Sequence, residues 1–294
     1  MNTFETIVRM SQKELKKYVA KKLKETHNDI TVGDGYVYAP GSFPVLLVAH
    51  MDTVHKELPK QIYYDKDTDA VFSPQGIGGD DRCGVYMIFE VLKKFNCSVL
   101  FTEDEEIGGV GAEKFLNTKL ARTLDFNYII EFDRQGKNDA VFYECDNPEF
   151  EEFITKEFYK TAYGTFSDIS YLAPFLGCAA VNLSCGYYKA HTTSEYVVLK
   201  EMEDSILAAC AILERTTEAD NFVYVEADYY SKYDFGYDDK MQYYLIEYQD
   251  ENHDAQWFEV EARSTEEAIG KWVIANPKVC FEDIIDVENY SDYF

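Results

Sequence analysis

The stretch that decides the fold is Val45-Leu46-Leu47-Val48-Ala49-His50-Met51-Asp52-Thr53-Val54. Its five consecutive apolar residues, preceded by Pro44, predict a strand buried on both faces, as in the interior of a parallel sheet. The strand ends in His50 and Asp52, which lie two residues apart and so on the same side of an extended chain. A carboxylate there can accept a hydrogen bond from the imidazole and leave the other ring nitrogen for a metal. For this pair alone, a histidine satisfied at a strand end is the alternative.

Acidic residues also follow the next two predicted strands. Residues 98–101 run into Glu103-Asp104-Glu105-Glu106, and residues 126–130 run into Glu131-Phe132-Asp133. Open α/β sheets bind their ligands at the carboxyl ends of the strands, which is where these acids are predicted to lie. An exposed acidic loop would explain the charge, but it would not explain this position.

A glycine-rich turn, Gly76-Ile77-Gly78-Gly79-Asp80-Asp81, opens a predicted helix that runs to about Phe95. Ordinary helix capping is one interpretation of this turn. A phosphate cradle is another, but the lysine of such loops is missing and two aspartates repel phosphate. A metal site explains the adjacent acids, because a tight turn lets one carboxylate point back toward His50. A second imidazole, His191, follows the predicted strand 179–183.

These histidines and carboxylates are nitrogen and oxygen ligands that suit two borderline metal ions sharing one carboxylate. Two ions about 3.5–4 Å apart can activate a water and polarise the carbonyl that it attacks. A spare carboxylate beside them can act as general base. The sequence therefore predicts a metal-dependent hydrolase.

The order of the predicted elements indicates an α/β fold. Strands and helices alternate up to a long helix over residues 199–217, so the central sheet is expected to be mostly parallel, with helices on both faces. An earlier helix begins at Ser11, because Ser11 and Glu14 have the spacing of a capping box. A small hairpin around Gly33-Asp34-Gly35 leads into the central strand.

Composition restricts the classes of function. The chain of 294 residues has 54 acidic and 28 basic residues, and its formal net charge of −26 repels nucleic acid and anionic membranes. Its seven cysteines are scattered without a CxxC pair, and no apolar run is long enough for a membrane span. We expect no signal peptide, reduced thiols and a cytoplasmic location.

Five ordered motifs resemble those of the co-catalytic di-zinc exopeptidases, a superfamily of aminopeptidases, tripeptidases, carboxypeptidases and aminoacylases. The motifs are His50-Met51-Asp52-Thr53-Val54, Gly79-Asp80-Asp81-Arg82-Cys83-Gly84, Asp104-Glu105-Glu106-Ile107-Gly108, Phe132-Asp133 and His191-Thr192-Thr193-Ser194-Glu195. The resemblance covers roughly residues 40–215. Each motif alone is weakly specific, whereas all five in order, with every ligand type in place, are strongly specific.

The resemblance implies a role for each of these residues. Asp80 would bridge two divalent ions, and its peptide bond to Asp81 is often cis in the family. Zinc is the expected metal, with manganese or cobalt as alternatives. The remaining implied roles are His50 and Asp133 for one metal, Glu106 and His191 for the other, Glu105 as general base acting on a water between the metals, and Asp52 as partner of His50.

Further candidates for the surroundings of the metals or for the substrate pocket are Asp81, Glu195, Asp168 and Tyr188. Glu195 follows His191 by four residues and would steady it if that turn is helical. Asp168 ends a segment that resembles one lining the substrate pocket in relatives, and capping of a helix from residue 169 is the alternative. Glu131, two residues before Asp133, could compete for its place.

The resemblance implies hydrolysis of peptide or amide bonds by a compact, lidless core. An aminopeptidase is favoured, because in the family Asp at the position of Asp133 tends to accompany aminopeptidases. An N-acyl amidase or deacylase and a carboxypeptidase on the same metals stay open. So does an alternative of another class, a non-catalytic acidic protein that binds a basic partner. The presence of Glu105 argues against this last alternative.

Beyond residue 217 the resemblance ends and the chain becomes more acidic. Residues 221–294 hold 18 acidic and 5 basic residues, so their net charge of −13 is half of the total. We predict a catalytic domain over residues 1–217, an acidic aromatic connector over 218–240 and a small α+β module over 241–294 with the order ββαβ. The module carries no catalytic constellation, and a basic protein is its expected partner.

Overall fold

The structure is a computed structural model that describes residues 2–227, 242–250, 255–262, 265–276 and 284–289. The chain forms two compact units, Met1–Ala227 and Asp228–Phe294. The helices of the first unit are α1 (Asn2–Val8), α2 (Gln12–Lys22), α3 (Gly79–Val91), α4 (Val110–Leu116), α5 (Pro148–Thr155), α6 (Ile169–Leu176) and α7 (Leu199–Arg215). Its strands are β1 (Thr31–Gly33), β2 (Tyr36–Ala39), β3 (Phe43–His50), β4 (Tyr63–Asp65), β5 (Ala70–Phe72), β6 (Cys97–Thr102), β7 (Tyr128–Arg134), β8 (Asp139–Val141), β9 (Lys160–Ala162), β10 (Ala180–Ser184), β11 (Tyr187–Tyr188) and β12 (Tyr196–Val198).

An eight-stranded sheet in the order β1-β2-β6-β3-β7-β10-β8-β9 forms the centre of the first unit. Its four middle strands, β6, β3, β7 and β10, run parallel to one another, and antiparallel pairs join β2 to β6 and β8 to β10. The prediction of a mostly parallel sheet is confirmed. A smaller antiparallel sheet has the order β11-β12-β5-β4.

Strand β3 is buried on both faces, as its apolar run predicts. Val45, Leu47 and Ala49 belong to one apolar cluster, which also includes residues of α1, α2, α3, α5 and α7. Leu46 and Val48 belong to a second cluster, with residues of α4 and α6. Helices therefore cover both faces of the sheet, and the polar residues at the strand ends are left at its carboxyl edge.

Residues 218–227 belong to the first unit and not to a connector, so the predicted boundary at 217 is wrong. The ring of Phe222 packs against those of Tyr128, Phe150 and Phe153, with ring centroids 5.1–5.9 Å apart. Its main chain makes hydrogen bonds of 2.7 and 2.9 Å with the residues that precede β10 and β7. Acidic composition suggested a connector, but the aromatic packing decides the boundary. The rest of the predicted connector, residues 228–240, lies outside the described residues.

A chain ended after Ala227 is expected to keep the first unit stable, whereas a chain ended after Asp220 is expected to lose stability. Removal of a core aromatic side chain typically costs about 3–5 kcal/mol, and the cost is expected to be smaller at Phe222 because its side chain is half-buried. Urea unfolding of the two truncated proteins at equal metal content measures this difference. Equal free energies of unfolding would show that residues 221–227 do not stabilise the unit.

The second unit has the predicted order ββαβ. Its elements are β13 (Gln242–Gln249), β14 (Ala255–Ala262), α8 (Thr265–Ala275) and β15 (Ile284–Asn289). The strands form an antiparallel sheet in the order β14-β13-β15. Tyr244 and Ile246 of β13 and Trp272 of α8 are members of its small apolar core. None of the helices that the structure describes in either unit is long and apolar enough to cross a membrane.

Candidate metal centre

His50 is the last residue of β3, and its ring lies among three carboxylates. Its Nδ1 atom is 3.2 Å from Oδ1 of Asp52, and its Nε2 atom is 3.0 Å from Oδ1 of Asp80 and 3.4 Å from Oδ1 of Asp133. The imidazole is 1% exposed. The contact between His50 and Asp52 is the one that their spacing on an extended chain predicts.

Asp52 also holds the acidic loop that follows β6. The backbone N–H groups of Glu105 and Glu106 donate to Oδ1 and Oδ2 of Asp52, at 3.1 Å each. Burial opposes ionisation of Asp52, but the hydrogen bond with His50 and these two backbone donors lower its pKa. One ionised carboxylate therefore fixes both the ring of His50 and the start of the loop.

Asp80 stands between the two histidines at the start of α3. Its Oδ1 atom faces His50, and its Oδ2 atom is 3.2 Å from Nε2 of His191. His191 is also 3.1 Å from Oε2 of Glu106. The peptide bond between Asp80 and Asp81 is cis, as the resemblance implies.

Two groups of potential metal ligands result. The first contains His50, Asp80 and Asp133, and the second contains Asp80, Glu106 and His191. Within each group the ligand atoms lie within 4.8 Å of one another, and Asp80 belongs to both. The structure thus brings together the five residues that the motifs nominate, in the pairs that the resemblance implies.

The donor set and the charge of this centre fit divalent ions. Burial and neighbouring acids of the protein raise the pKa of Glu105 to about 9 and that of Asp133 to about 7. Hydrogen bonds with Asp80 and Glu106 raise the pKa of His191 to about 11. The Oε1 atom of Glu106 is buried and has no hydrogen-bond partner among the described residues. The cluster therefore attracts positive charge and has an oxygen to spare for it.

Asp81 contacts the backbone beside His50. Its carboxylate accepts hydrogen bonds from the N–H groups of His50 at 3.2 Å and Gly84 at 2.9 Å. A Cβ atom at position 84 would overlap the carbonyl oxygen of Phe132, so the motif requires glycine there. Asp81 supports the centre without belonging to either ligand group.

Glu131 does not take the place of Asp133. It is fully buried and accepts a hydrogen bond from the hydroxyl of Ser167. Asp133 instead faces His50, and its backbone N–H donates to Oδ1 of Asn182 at 2.9 Å. Ser167 belongs to the segment 165–168, which resembles one lining the substrate pocket in relatives, whereas Asn182 was not singled out because it lies inside a predicted strand and outside the five motifs.

Asp168 does not cap α6, although it precedes the first residue of that helix. Its side chain accepts a hydrogen bond from the hydroxyl of Thr102 at the end of β6 and makes no cap hydrogen bond. Burial raises its pKa to about 6. The capping interpretation is therefore wrong. Asp168 lies close enough to Glu105 for their charges to repel, and so it belongs to the surroundings of the centre.

Glu195 does not steady His191, because residues 191–195 form an irregular turn and not a helix. Its fully buried carboxylate instead accepts hydrogen bonds from Nε2 of His55 at 2.7 Å and from the backbone N–H groups of Gly78 and Asp80 at 2.8 and 3.0 Å. Glu195 therefore acts on the turn before α3. His55 directly follows the motif of residues 50–54 but is not part of it, and it was not predicted.

Tyr188 points away from the centre. Its hydroxyl donates to Glu201 at 2.5 Å, and its ring stacks on that of Tyr196. The preceding residue, Tyr187, donates its hydroxyl to the backbone oxygen of Asp133 at 3.0 Å. Successive side chains of a strand face opposite sides, so the nomination of Tyr188 was one residue out of register.

The first unit is an α/β unit with histidines and carboxylates gathered at the carboxyl ends of parallel strands, and its fold is similar to that of aminopeptidases of known structure. The aminopeptidase PepT from Bacillus cereus has a TM-score of 0.60 and 15% identity over 72% of this chain and 96% of that one. A tripeptidase from Staphylococcus aureus has a TM-score of 0.58 and 15% identity, over 72% of this chain and 95% of that one. An aminopeptidase from the archaeon Desulfurococcus kamchatkensis has a TM-score of 0.58 and 15% identity, over 74% of this chain and 94% of that one. No family model and no curated protein sequence matches the chain.

Proposed function

We propose that the chain is a metal-dependent aminopeptidase, a hydrolase that removes residues from the free amino end of a peptide. The observation that carries this proposal is the pair of ligand groups that share Asp80. Glu105 stands beside them, close enough to interact electrostatically with His50, Asp133 and Asp80. The fold shared with aminopeptidases of known structure supports the same reaction.

Two divalent ions, zinc in the first instance and manganese or cobalt as alternatives, would be held by the five ligands. His50 and Asp133 would hold one ion, Glu106 and His191 the other, and Asp80 both. When bound, such ions lower the pKa of a water and polarise the carbonyl of the scissile amide. The imidazole and carboxylate donors of the site are those that zinc accepts.

Glu105 is the proposed general base. Its carboxylate takes a proton from the attacking water and delivers it to the amine that leaves. The protein's own groups hold its pKa at about 9, and a nearby positive charge lowers such a pKa again. Glu105 is thus able to accept a proton near neutral pH only where cations compensate the site. Asp52 keeps it in place through the backbone of the loop.

The charge of the site favours a substrate with a free ammonium group over one with a free carboxylate. Two divalent ions supply four positive charges to the five carboxylates formed by the acidic ligands, Asp52 and Glu105. Arg82, which follows Asp81, donates to the backbone oxygens of Ile7 and Met10 and does not serve as an anchor for a carboxylate. The five carboxylates are those of Asp52, Asp80, Glu105, Glu106 and Asp133.

The test compares leucine 4-nitroanilide, its N-acetylated form and N-acetylleucine on the full chain loaded with zinc, manganese or cobalt. We expect hydrolysis of the free-amino anilide, loss of hydrolysis on acetylation and loss of hydrolysis on metal chelation. Release of acetate from N-acetylleucine without cleavage of the anilide would favour a deacylase. Inertness toward every amide tested, with metals bound, would favour the non-catalytic binding protein.

We also propose a cytoplasmic location and a basic protein partner for the second unit. The six cysteines within the described part of the chain are free and buried, which suits a reducing compartment. The partner is supported by the charge of the second unit, because residues 228–294 hold 17 acidic and 5 basic residues, a net charge of −12. The same excess of acid argues against nucleic acid and anionic membranes as ligands.

A further inference from the structure

We infer that His55 and Glu195 form a clamp that positions Asp80, and that His55 is a positioning residue outside the ligand set. We use the term clamp for the hydrogen-bonded pair of these two side chains together with the backbone N–H groups of Gly78 and Asp80, which donate hydrogen bonds to Glu195. The inference rests on the proposed function, since the shared ligand role of Asp80 belongs to that proposal.

Both oxygens of the Glu195 carboxylate are engaged by the turn before α3. Oε1 accepts a hydrogen bond from the N–H of Asp80 at 3.0 Å. Oε2 accepts hydrogen bonds from the N–H of Gly78 at 2.8 Å and from Nε2 of His55 at 2.7 Å. Glu195 is fully buried, and the side chain of His55 is 7% exposed. A buried carboxylate is stable only when donors satisfy it. His55 is the side-chain donor among its three partners.

The glycines of the turn are explained by this clamp. A Cβ atom at Gly76 would overlap the ring of His55. A Cβ atom at Gly79 would lie 3.3 Å from Oε1 of Glu195 and 2.8 Å from a side-chain atom of Tyr187. Gly76 and Gly78 also have positive φ angles of 85° and 66°, a region that favours glycine. The turn is therefore shaped to let its backbone approach His55 and Glu195 closely.

The clamp acts on the centre through the backbone of Asp80. The N–H held by Glu195 and the carboxylate that faces both histidines belong to the same residue. Displacing this N–H moves both carboxylate oxygens, and metal sites need their ligands within about 0.2 Å of the required distances. Loss of a hydrogen-bonding partner behind a metal ligand typically lowers metal affinity about 10–100-fold.

The test uses the full chain and cobalt(II) alone as probe. The His55→Phe variant keeps a ring beside Gly76 and removes the donor, whereas His55→Gln retains a donor. His27→Phe is the matched control, because His27 is a buried histidine that bonds the carbonyl of Cys97 at 2.9 Å, away from the centre. Cobalt affinity by chelator competition and the visible spectrum of bound cobalt are measured, with unfolding curves of the metal-free proteins to monitor folding.

We expect His55→Phe to lower cobalt affinity about 10–100-fold and to change the cobalt spectrum. We expect His55→Gln to restore part of both and His27→Phe to leave both unchanged. Glu195→Gln removes the same hydrogen bond from the other side, so combining it with His55→Phe is expected to add little to the larger single effect. The single variant Glu195→Gln also supplies the test if His55→Phe does not fold. Unchanged affinity and spectrum, or fully additive losses, would overturn the clamp.

Failure of the proposed function is distinguishable from failure of the clamp. If the wild-type chain binds no cobalt, the metal site is wrong. The clamp is then tested by hydrogen exchange of the Gly78 and Asp80 amides in the metal-free proteins. Faster exchange of these two amides in His55→Phe than in His27→Phe supports the clamp, and equal exchange overturns it.

Discussion

The Glu105→Gln variant is expected to lower turnover of a free-amino substrate about 10²–10⁴-fold, the usual range for loss of a general base. The amide has nearly the same shape as the carboxylate, but it does not accept the proton of the attacking water. The backbone N–H of residue 105 still donates to Asp52, so the loop keeps its position. Steady-state kinetics with leucine 4-nitroanilide measure the effect, and both metals are expected to stay bound.

The adjacent residue provides the matched control. Glu106→Gln changes the same loop by the same chemical step, but Glu106 contacts His191 and belongs to the second ligand group. This variant is expected to weaken one metal and to recover activity at higher metal concentration. An exchanged pattern, with metal loss in Glu105→Gln and intact metals in Glu106→Gln, would mean that the roles of the two glutamates are reversed.

The Asp80→Asn variant is expected to lose both metals and to show only the background rate of hydrolysis. Asp80 is the residue shared by the two ligand groups, and an amide cannot offer two anionic oxygens to two cations. Its backbone N–H remains available to Glu195, so the turn before α3 is expected to persist. Elemental analysis and kinetics on the same preparation measure both effects.

Asp81→Asn is the control for Asp80→Asn, since it alters the next residue of the same turn. Asp81 accepts only backbone N–H donors in the described part of the chain, and an asparagine oxygen can accept one of them. We expect this variant to keep both metals. Retention of both metals by Asp80→Asn would contradict the shared-ligand assignment.

The framework of the centre was predictable because its signals are local. The apolar run ending in His50 predicts a buried strand, and the period of two places Asp52 beside the imidazole. The structure has both features. Strands predicted over 98–101 and 126–130 correspond to Cys97–Thr102 and Tyr128–Arg134, so the acids after them gather at one edge of the sheet.

The surroundings of the centre were not predictable because they depend on residues that are distant in the chain. Glu195 meets His55 across 140 residues, and no spacing within either motif indicates that contact. The four-residue interval from His191 to Glu195 was interpreted as one helical turn, but the chain there is irregular. Asp168 likewise finds its partner on another element, Thr102, 66 residues away.

Short elements and the domain boundary were missed for a different reason. Strands Asp139–Val141 and Lys160–Ala162 are three residues long, too short for a periodic pattern to identify. The acidic composition after residue 217 hides the packing of Phe222 against three aromatic rings. An acidic composition indicates that a segment is exposed to solvent, whereas the contacts of its apolar side chains decide which unit it belongs to.

The number of metal ions per chain tests the two-metal centre most directly. The wild-type chain is loaded separately with zinc, manganese and cobalt, freed of weakly bound ions and examined by elemental analysis beside Asp80→Asn. We expect two ions per wild-type chain for at least one of these metals and none for the variant. A wild-type value that never exceeds one ion per chain would contradict the centre described by His50, Asp80, Glu106, Asp133 and His191.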